Sequence, residues 1–149
     1  MSMYPEIDDK LMDLEEAVSR FIKDGCQLAI GGFTIVRNPM AIAYEIIRKG
    51  IRDIHLVCHS HGQALDVLLG AGCVKRLEIA YGGNGRYAPT CIRFKKAIQQ
   101  GELEFEDYSN YQMTLRFLAG ALGMSFISTK SGLGSDLLNF EGFSKETRT

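Results

Sequence analysis

Apolar residues recur at helical spacing, then in short runs, then at helical spacing again, and glycine or proline marks nearly every change of rhythm. Leu14, Ala17, Val18, Phe21 and Ile22 trace one helical face, with Asp13 and Glu16 spaced as a capping box and Gly25 as a stop. Gln27–Ile30 is too short for a helix and reads as a strand. Asn38 is placed to cap, and Pro39 to start, a second helix carrying Ala41, Tyr44, Ile46 and Ile47, closed by Gly50. His55–Cys58 follows as a strand, Gln63–Leu69 as a short helix, Val74–Ala80 as a strand, Thr90–Gln99 as a helix ended by Gly101, and Leu103–Glu106 as a strand. Ser109 or Asn110 can cap a long apolar helix, Tyr111–Leu122, that Gly123 ends, and Phe126–Thr129 is the last predicted strand. Strands separated by helices and short loops specify an α/β fold: a Rossmann-like, three-layer parallel sheet with helices on both faces. In such sheets ligands sit beyond the carboxyl ends of the strands.

One junction stands out on that map. Asp24 to Pro39 runs a short apolar strand into Gly31-Gly32 and then into a proline-started helix. Paired glycines let the chain turn with positive φ and let a ligand approach the amides, because no Cβ intervenes. The following helix directs unpaired N–H groups and the positive end of its dipole to the same place. The pattern predicts a site for a phosphate or carboxylate and names no reaction. Taken alone, it is also compatible with a plain strand-to-helix turn.

Bulk properties narrow the field. The 149 residues, 46% of them hydrophobic, fit one domain with a real core, and no repeat, low-complexity tract or linker divides them. Only Ser144–Thr149 reads as a frayed polar end. Seventeen basic against eighteen acidic residues give a net charge of −1, which argues against a nucleic-acid surface. Cys26, Cys58, Cys73 and Cys91 fall singly in apolar stretches, as buried thiols of a reducing compartment do, rather than as a disulfide framework. Glu6, Asp8 and Asp9 stand where a signal peptide would be basic, and no run is long enough to span a membrane, so the expectation is a cytoplasmic protein without a membrane partner.

Three other patterns invite sharper readings. Cys58, His59 and His61 are close in sequence, but Cys58 and His59 face opposite sides of a continuing strand and no second ligand pair has zinc spacing, so no metal is expected. His59 and His61 are then loop residues beside the pocket. Gly83 to Ala88 fits G-x-G-x-x-A after a strand, with Glu104 about twenty residues on, the fingerprint of a nicotinamide dinucleotide. Pro89 falls where its helix should be running, which leaves an NAD(P)-dependent oxidoreductase as a minor alternative. Tyr111, Met113, Phe117 and Leu118 read as helix packing, and Lys95-Lys96 as a solvated face.

The Gly31-Gly32-Phe33 turn does not stand alone. Asp24-Gly25 precedes it; Pro39, Tyr44-Glu45-Ile46-Ile47-Arg48, Gly50-Ile51, Gly70 to Arg76, Arg93-Phe94, Glu106 to Ser109, Ala119 to Gly123 and Gly132-Leu133-Gly134 follow. In that order these phrases resemble the α subunit of family I CoA-transferases, most closely of the glutaconate type, over roughly Leu11 to Phe143. The resemblance implies a CoA-transferase/NagB-like fold, CoA and acyl-CoA as substrates with no tightly bound cofactor, a free (di)carboxylic acid as acceptor, and a partner β subunit in a hetero-oligomer. It also implies that the nucleophilic glutamate belongs to that β subunit, so no catalytic residue is assigned here. The implied substrate and CoA contacts are Gly31, Gly32, Phe33, Thr34, Arg37, His59, Ser60, Asn84, Ser109, Asn110 and Gln112, in the loops after the strands.

Two departures bear on this expectation. Arg37 stands where many members have glycine, as in the glutaconate-type branch, and a basic residue suits a dicarboxylate. The family's α subunits are about twice as long, so the single domain read here is truncated relative to them, and a non-catalytic relic or small-anion-binding module is the alternative. A related branch of CoA-ester hydrolases has glutamate at the position of Asn110. An amide positions a carboxylate but is neither base nor nucleophile, which favours transferase over hydrolase.

Overall fold

The computed structural model describes residues 11–139, so the polar end expected at Ser144–Thr149 lies outside the described residues. Five strands, β1 (Gln27–Ala29), β2 (Phe33–Thr34), β3 (Ile54–His61), β4 (Val74–Gly82) and β5 (Glu104–Asp107), form one wholly parallel sheet. Its order is β1, β3, β4, β5, with β2 continuing the β1 edge alongside the end of β3. Among the described residues α1 (Leu14–Phe21) precedes the strands, α2 (Met40–Arg48), α3 (Gln63–Gly70) and α4 (Ile92–Gln100) connect them, and α5 (Asn110–Ala121) follows the last.

Alternation along β3 divides the layers. Ile54, Leu56 and Cys58 enter the main core with Leu77 and Ile79 of β4, Ala43 and Ile46 of α2, Ala64, Leu65 and Leu68 of α3, and Val18 of α1. Val57 faces the other way, into a smaller cluster with Tyr108 and Met113 roofed by α5. Both faces therefore carry helices, four on one side and α5 on the other.

The predicted order of elements holds, with local corrections. Asp13 caps α1 by accepting from Glu16 N at 2.7 Å, but the helix ends at Phe21, before Gly25. Asn38 does not cap α2, because its side chain is used elsewhere; Pro39 occupies the cap position. α4 starts at Ile92 rather than Thr90, and Gly101 ends it in the left-handed conformation. β3 and β4 run three and two residues further than expected, to His61 and Gly82, because their ends pair with each other, Ser60 with Tyr81 and His61 with Gly82, while β2 pairs the end of β3 on its other side. His61 therefore closes a strand, fully buried, instead of sitting in a loop. Phe126–Thr129 forms no strand: it has no ladder partner and runs along the wall of a cavity of about 600 Å³. No helix of the described residues is long and apolar enough to cross a membrane.

Candidate functional site

The carboxyl ends of β1, β3, β4 and β5 bring the predicted positions to one edge of the sheet. After β1 the chain turns sharply: Phe33 N donates to Val36 O and Val36 N to Phe33 O, at 2.9 and 2.8 Å. Thr34 and Arg37 take positive φ, +51° and +56°, which costs a β-branched residue in particular. Asn38 holds the turn in place, donating to Thr34 O at 2.8 Å and accepting from Ala64 N at 3.3 Å. It thus caps α3, not its own helix.

Within the glycine pair, only Gly32 is forced to be glycine. Its φ is +115°, and a Cβ there would lie 3.0 Å from Arg37 O and 3.2 Å from His61 Nε2. Gly31 is exposed, and a Cβ added to it would meet nothing within 4 Å, so neither space nor φ requires its lack of a side chain. The N–H groups of both have no hydrogen-bond partner among the described residues. Beside them Phe33, Ile35 and Val36 are exposed, and Arg37 is exposed without a carboxylate partner among the described residues.

His61 braces this turn from beneath, Nε2 donating to Gly31 O at 2.9 Å. Burial lowers its pKa against the opposing pull of that bond, and Nδ1 is buried without a hydrogen bond. His59, inside β3 rather than in the expected loop, lies with its ring centroid 6.3 Å from that of Phe33. Its Nε2 donates to Asn110 O at 2.9 Å, and its Nδ1 is 3.0 Å from Ser60 Oγ. Ser60 Oγ donates to Asn110 Oδ1 at 3.0 Å, and Thr114 Oγ1 donates to Asn110 O at 3.0 Å. A polar chain therefore runs from His59 and Ser60 to Asn110 and Thr114 at the start of α5.

Ser109 and Gln112 are committed to structure. Ser109 Oγ accepts from Gln112 N at 3.1 Å, Gln112 Oε1 accepts from Ser109 N at 2.8 Å, and Gln112 Nε2 donates to Ser131 O at 3.1 Å. Asn84 is half-buried in a tight turn, its Oδ1 packed against Gly62 with no hydrogen bond. The turn from Gly83 to Ala88 opens no helix, since α4 begins beyond Pro89. Motifs pointed to Asn38 only as a cap of its own helix and not to Thr114; the bond from Ala64 N that gives Asn38 its other role comes from 26 residues away.

No carboxylate of the described residues joins this chain of groups. The buried glutamates are paired elsewhere: Glu45 with Arg48 at 2.6 Å, Glu78 with His55 at 2.7 Å and with Arg116, Glu106 with Arg76 and with the Tyr108 hydroxyl at 2.7 Å. Burial pushes the thiols of Cys58, Cys73 and Cys91 up, Cys91 to about 12 with Asp66 adding to the effect. Such thiols are poor nucleophiles.

The family model for Coenzyme A transferase matches residues 11–147. The A subunit of glutaconate CoA-transferase from Acidaminococcus fermentans is 36% identical over 139 residues, 93% of this chain and 43% of that protein. The A subunit of 3-oxoadipate CoA-transferase from Pseudomonas knackmussii is 37% identical over 131 residues, 86% of this chain and 46% of that protein. The crystal structure of glutaconate coenzyme A-transferase from A. fermentans superposes with a TM-score of 0.81, covering 92% of this chain and 43% of that chain. The decarboxylase AibA/AibB, in a variant form, superposes with a TM-score of 0.80 at 36% identity, covering 88% and 50%. This chain thus spans less than half the length of the two curated relatives named.

Proposed function

This chain belongs to the coenzyme A transferase family, and we propose that it supplies the α-subunit wall of a site where CoA passes between an acyl-CoA and a free (di)carboxylic acid. What supports the reading is that the Gly31 and Gly32 amides, without a hydrogen-bond partner among the described residues, and the hydrogen-bonded group of His59, Ser60 and Asn110 both lie at the carboxyl ends of the parallel strands. These are donors and dipoles without a nucleophile, which is what an electrostatic wall needs. The attacking carboxylate then comes from a companion β subunit.

In the proposed cycle that carboxylate attacks the thioester carbonyl and expels CoA thiolate, leaving a mixed anhydride. The thiolate attacks the enzyme's acyl carbon, releasing the first acid and forming a glutamyl-CoA thioester; the acceptor carboxylate then reverses the two steps. Gly31 and Gly32 N–H groups would stabilise oxygen charge as each carbonyl becomes tetrahedral. Asn110 would orient the acid, Phe33 and Val36 would face its carbon chain, and Arg37 would suit a second carboxylate. CoA is a substrate in this scheme, with no tightly bound cofactor, and the cytoplasm is the proposed setting, where four unbridged cysteines stay reduced.

The test is co-expression with a companion β subunit, exposure of the complex to glutaconyl-CoA or 3-oxoadipyl-CoA, and mass spectrometry of the companion polypeptide. A CoA adduct on one of its glutamates is expected, and its absence with every acyl-CoA tried would overturn the reading. The decarboxylase relative makes the adduct, rather than the fold, the deciding observation. In the same complex Asn110→Ala is expected to lower turnover at least tenfold with little loss of affinity between the two polypeptides; unchanged turnover removes Asn110 from the site.

A further inference from the structure

His59, Ser60 and Asn110 share too few protons to be independent. A carbonyl only accepts, so the 2.9 Å contact between His59 Nε2 and Asn110 O needs a ring proton on Nε2. Ser60 is buried, and its hydroxyl has one proton for two neighbours, His59 Nδ1 at 3.0 Å and Asn110 Oδ1 at 3.0 Å. When that proton goes to Asn110 Oδ1, His59 Nδ1 must be the donor to Ser60, and the ring is an imidazolium. When His59 is neutral, Nδ1 carries a lone pair and takes the Ser60 proton. The Ser60 oxygen then has only lone pairs to offer Asn110, and the amide must turn over, bringing Nδ2 inward and Oδ1 outward. Asn110 is exposed, and its Nδ2 has no hydrogen-bond partner among the described residues, so the outward end of the amide is open to a ligand.

We propose that His59 and Ser60 form a proton-linked relay that sets which end of the Asn110 amide meets the substrate. With His59 protonated, Asn110 offers an N–H donor, which holds a carboxylate. With His59 neutral, it offers a carbonyl oxygen, which repels one. The relay therefore favours binding of the free acid when His59 is charged, and by linkage the bound acid makes His59 harder to deprotonate. The proposal rests on the reading that Asn110 orients the acid. The groups around the ring leave His59 as the titrating member: Phe33, Ser60, Asn110 and Thr114 are uncharged, and Tyr81, paired with Ser60 across β4, donates its hydroxyl to Pro89 O. No carboxylate among the described residues forms an ion pair with it.

The test uses the complex with the companion β subunit, with isotope-labelled histidine rings in this chain only, titrated by NMR from about pH 6 to 8, where a dicarboxylate stays ionised. Glutaconate alone, without a CoA donor, is the probe. The His59 signal, identified by its loss in His59→Gln, is expected to titrate at least about 0.5 pH unit higher with glutaconate bound, and glutaconate affinity by calorimetry to fall at least about twofold across that range. Ser60→Ala is expected to abolish both effects while His59 still titrates, whereas an imidazolium that merely attracts the anion would keep them. Ser60→Thr, which retains the hydroxyl, is expected to preserve them, and Ser60→Gly replaces Ser60→Ala if that variant does not assemble. Glutaconate bound equally well at both ends of the range, or a coupling that survives loss of the hydroxyl, would refute the relay even in a complex that forms the CoA adduct. No glutaconate binding at any pH would refute the role of Asn110 along with it.

Discussion

Gly31 and Gly32 are adjacent in sequence yet lack side chains for different reasons. Gly32→Ala must place a Cβ 3.0 Å from a backbone oxygen at φ +115°, and a loss of about 1–3 kcal/mol on denaturant unfolding is expected. Gly31→Ala meets nothing within 4 Å, so stability should change by less than about 0.5 kcal/mol. If a ligand approaches the Gly31 amide, that same silent change should raise KM for acyl-CoA several-fold in the assembled enzyme; unchanged KM would take Gly31 out of the contact surface. His61 supplies a pH signature. Its folded pKa lies below the ordinary 6.5, so as pH falls through 6.5 the unfolded chain takes up a proton before the folded chain does. Stability should therefore drop on acidification from 6.5 downward, and His61→Gln should flatten that limb of the curve in urea titrations.

At the scale of elements, helix starts are held by two different routes. α5 is capped from within, by the reciprocal Ser109 and Gln112 bonds, a spacing visible in the chain. α3 and α4 are capped from outside: Asn38 reaches Ala64 N, and Asp66 of α3 accepts from Arg93 N at 2.7 Å and Phe94 N at 3.2 Å. The predicted cap at Asn38 failed because its side chain found a better partner across the fold. Ser109→Ala and Asp66→Ala are each expected to cost about 1 kcal/mol, within the range for lost caps, by chemical denaturation. Asp66→Ala should also loosen the α3–α4 contact, seen as faster exchange of the Arg93 and Phe94 amides, whereas Ser109→Ala should leave them unchanged.

Across the whole molecule the sheet has an apolar face and a partly ionic one. Glu78, 3% exposed, meets His55, Arg76 and Arg116 beneath α5, and Arg116 lies 4.4 Å from the Tyr108 ring centroid. Glu78→Ala would remove the carboxylate that pairs Arg116 and leave Arg76 with Glu106. A loss of about 2 kcal/mol is expected, moderated because both guanidinium groups reach solvent, and a change under about 0.5 kcal/mol in denaturant midpoint measurements would show the cluster to be incidental. Periodicity and punctuation determined the element order, the parallel α/β class and the glycine turn after β1, since these depend on spacing of a few residues and on backbone freedom at one position. Tertiary structure alone decided that Asn38 caps α3, that His61 is buried, that Gln112 Nε2 reaches Ser131 O and that Phe126–Thr129 has no ladder. Each of those outcomes depends on which distant group arrives within hydrogen-bonding distance, and local spacing carries no information about that.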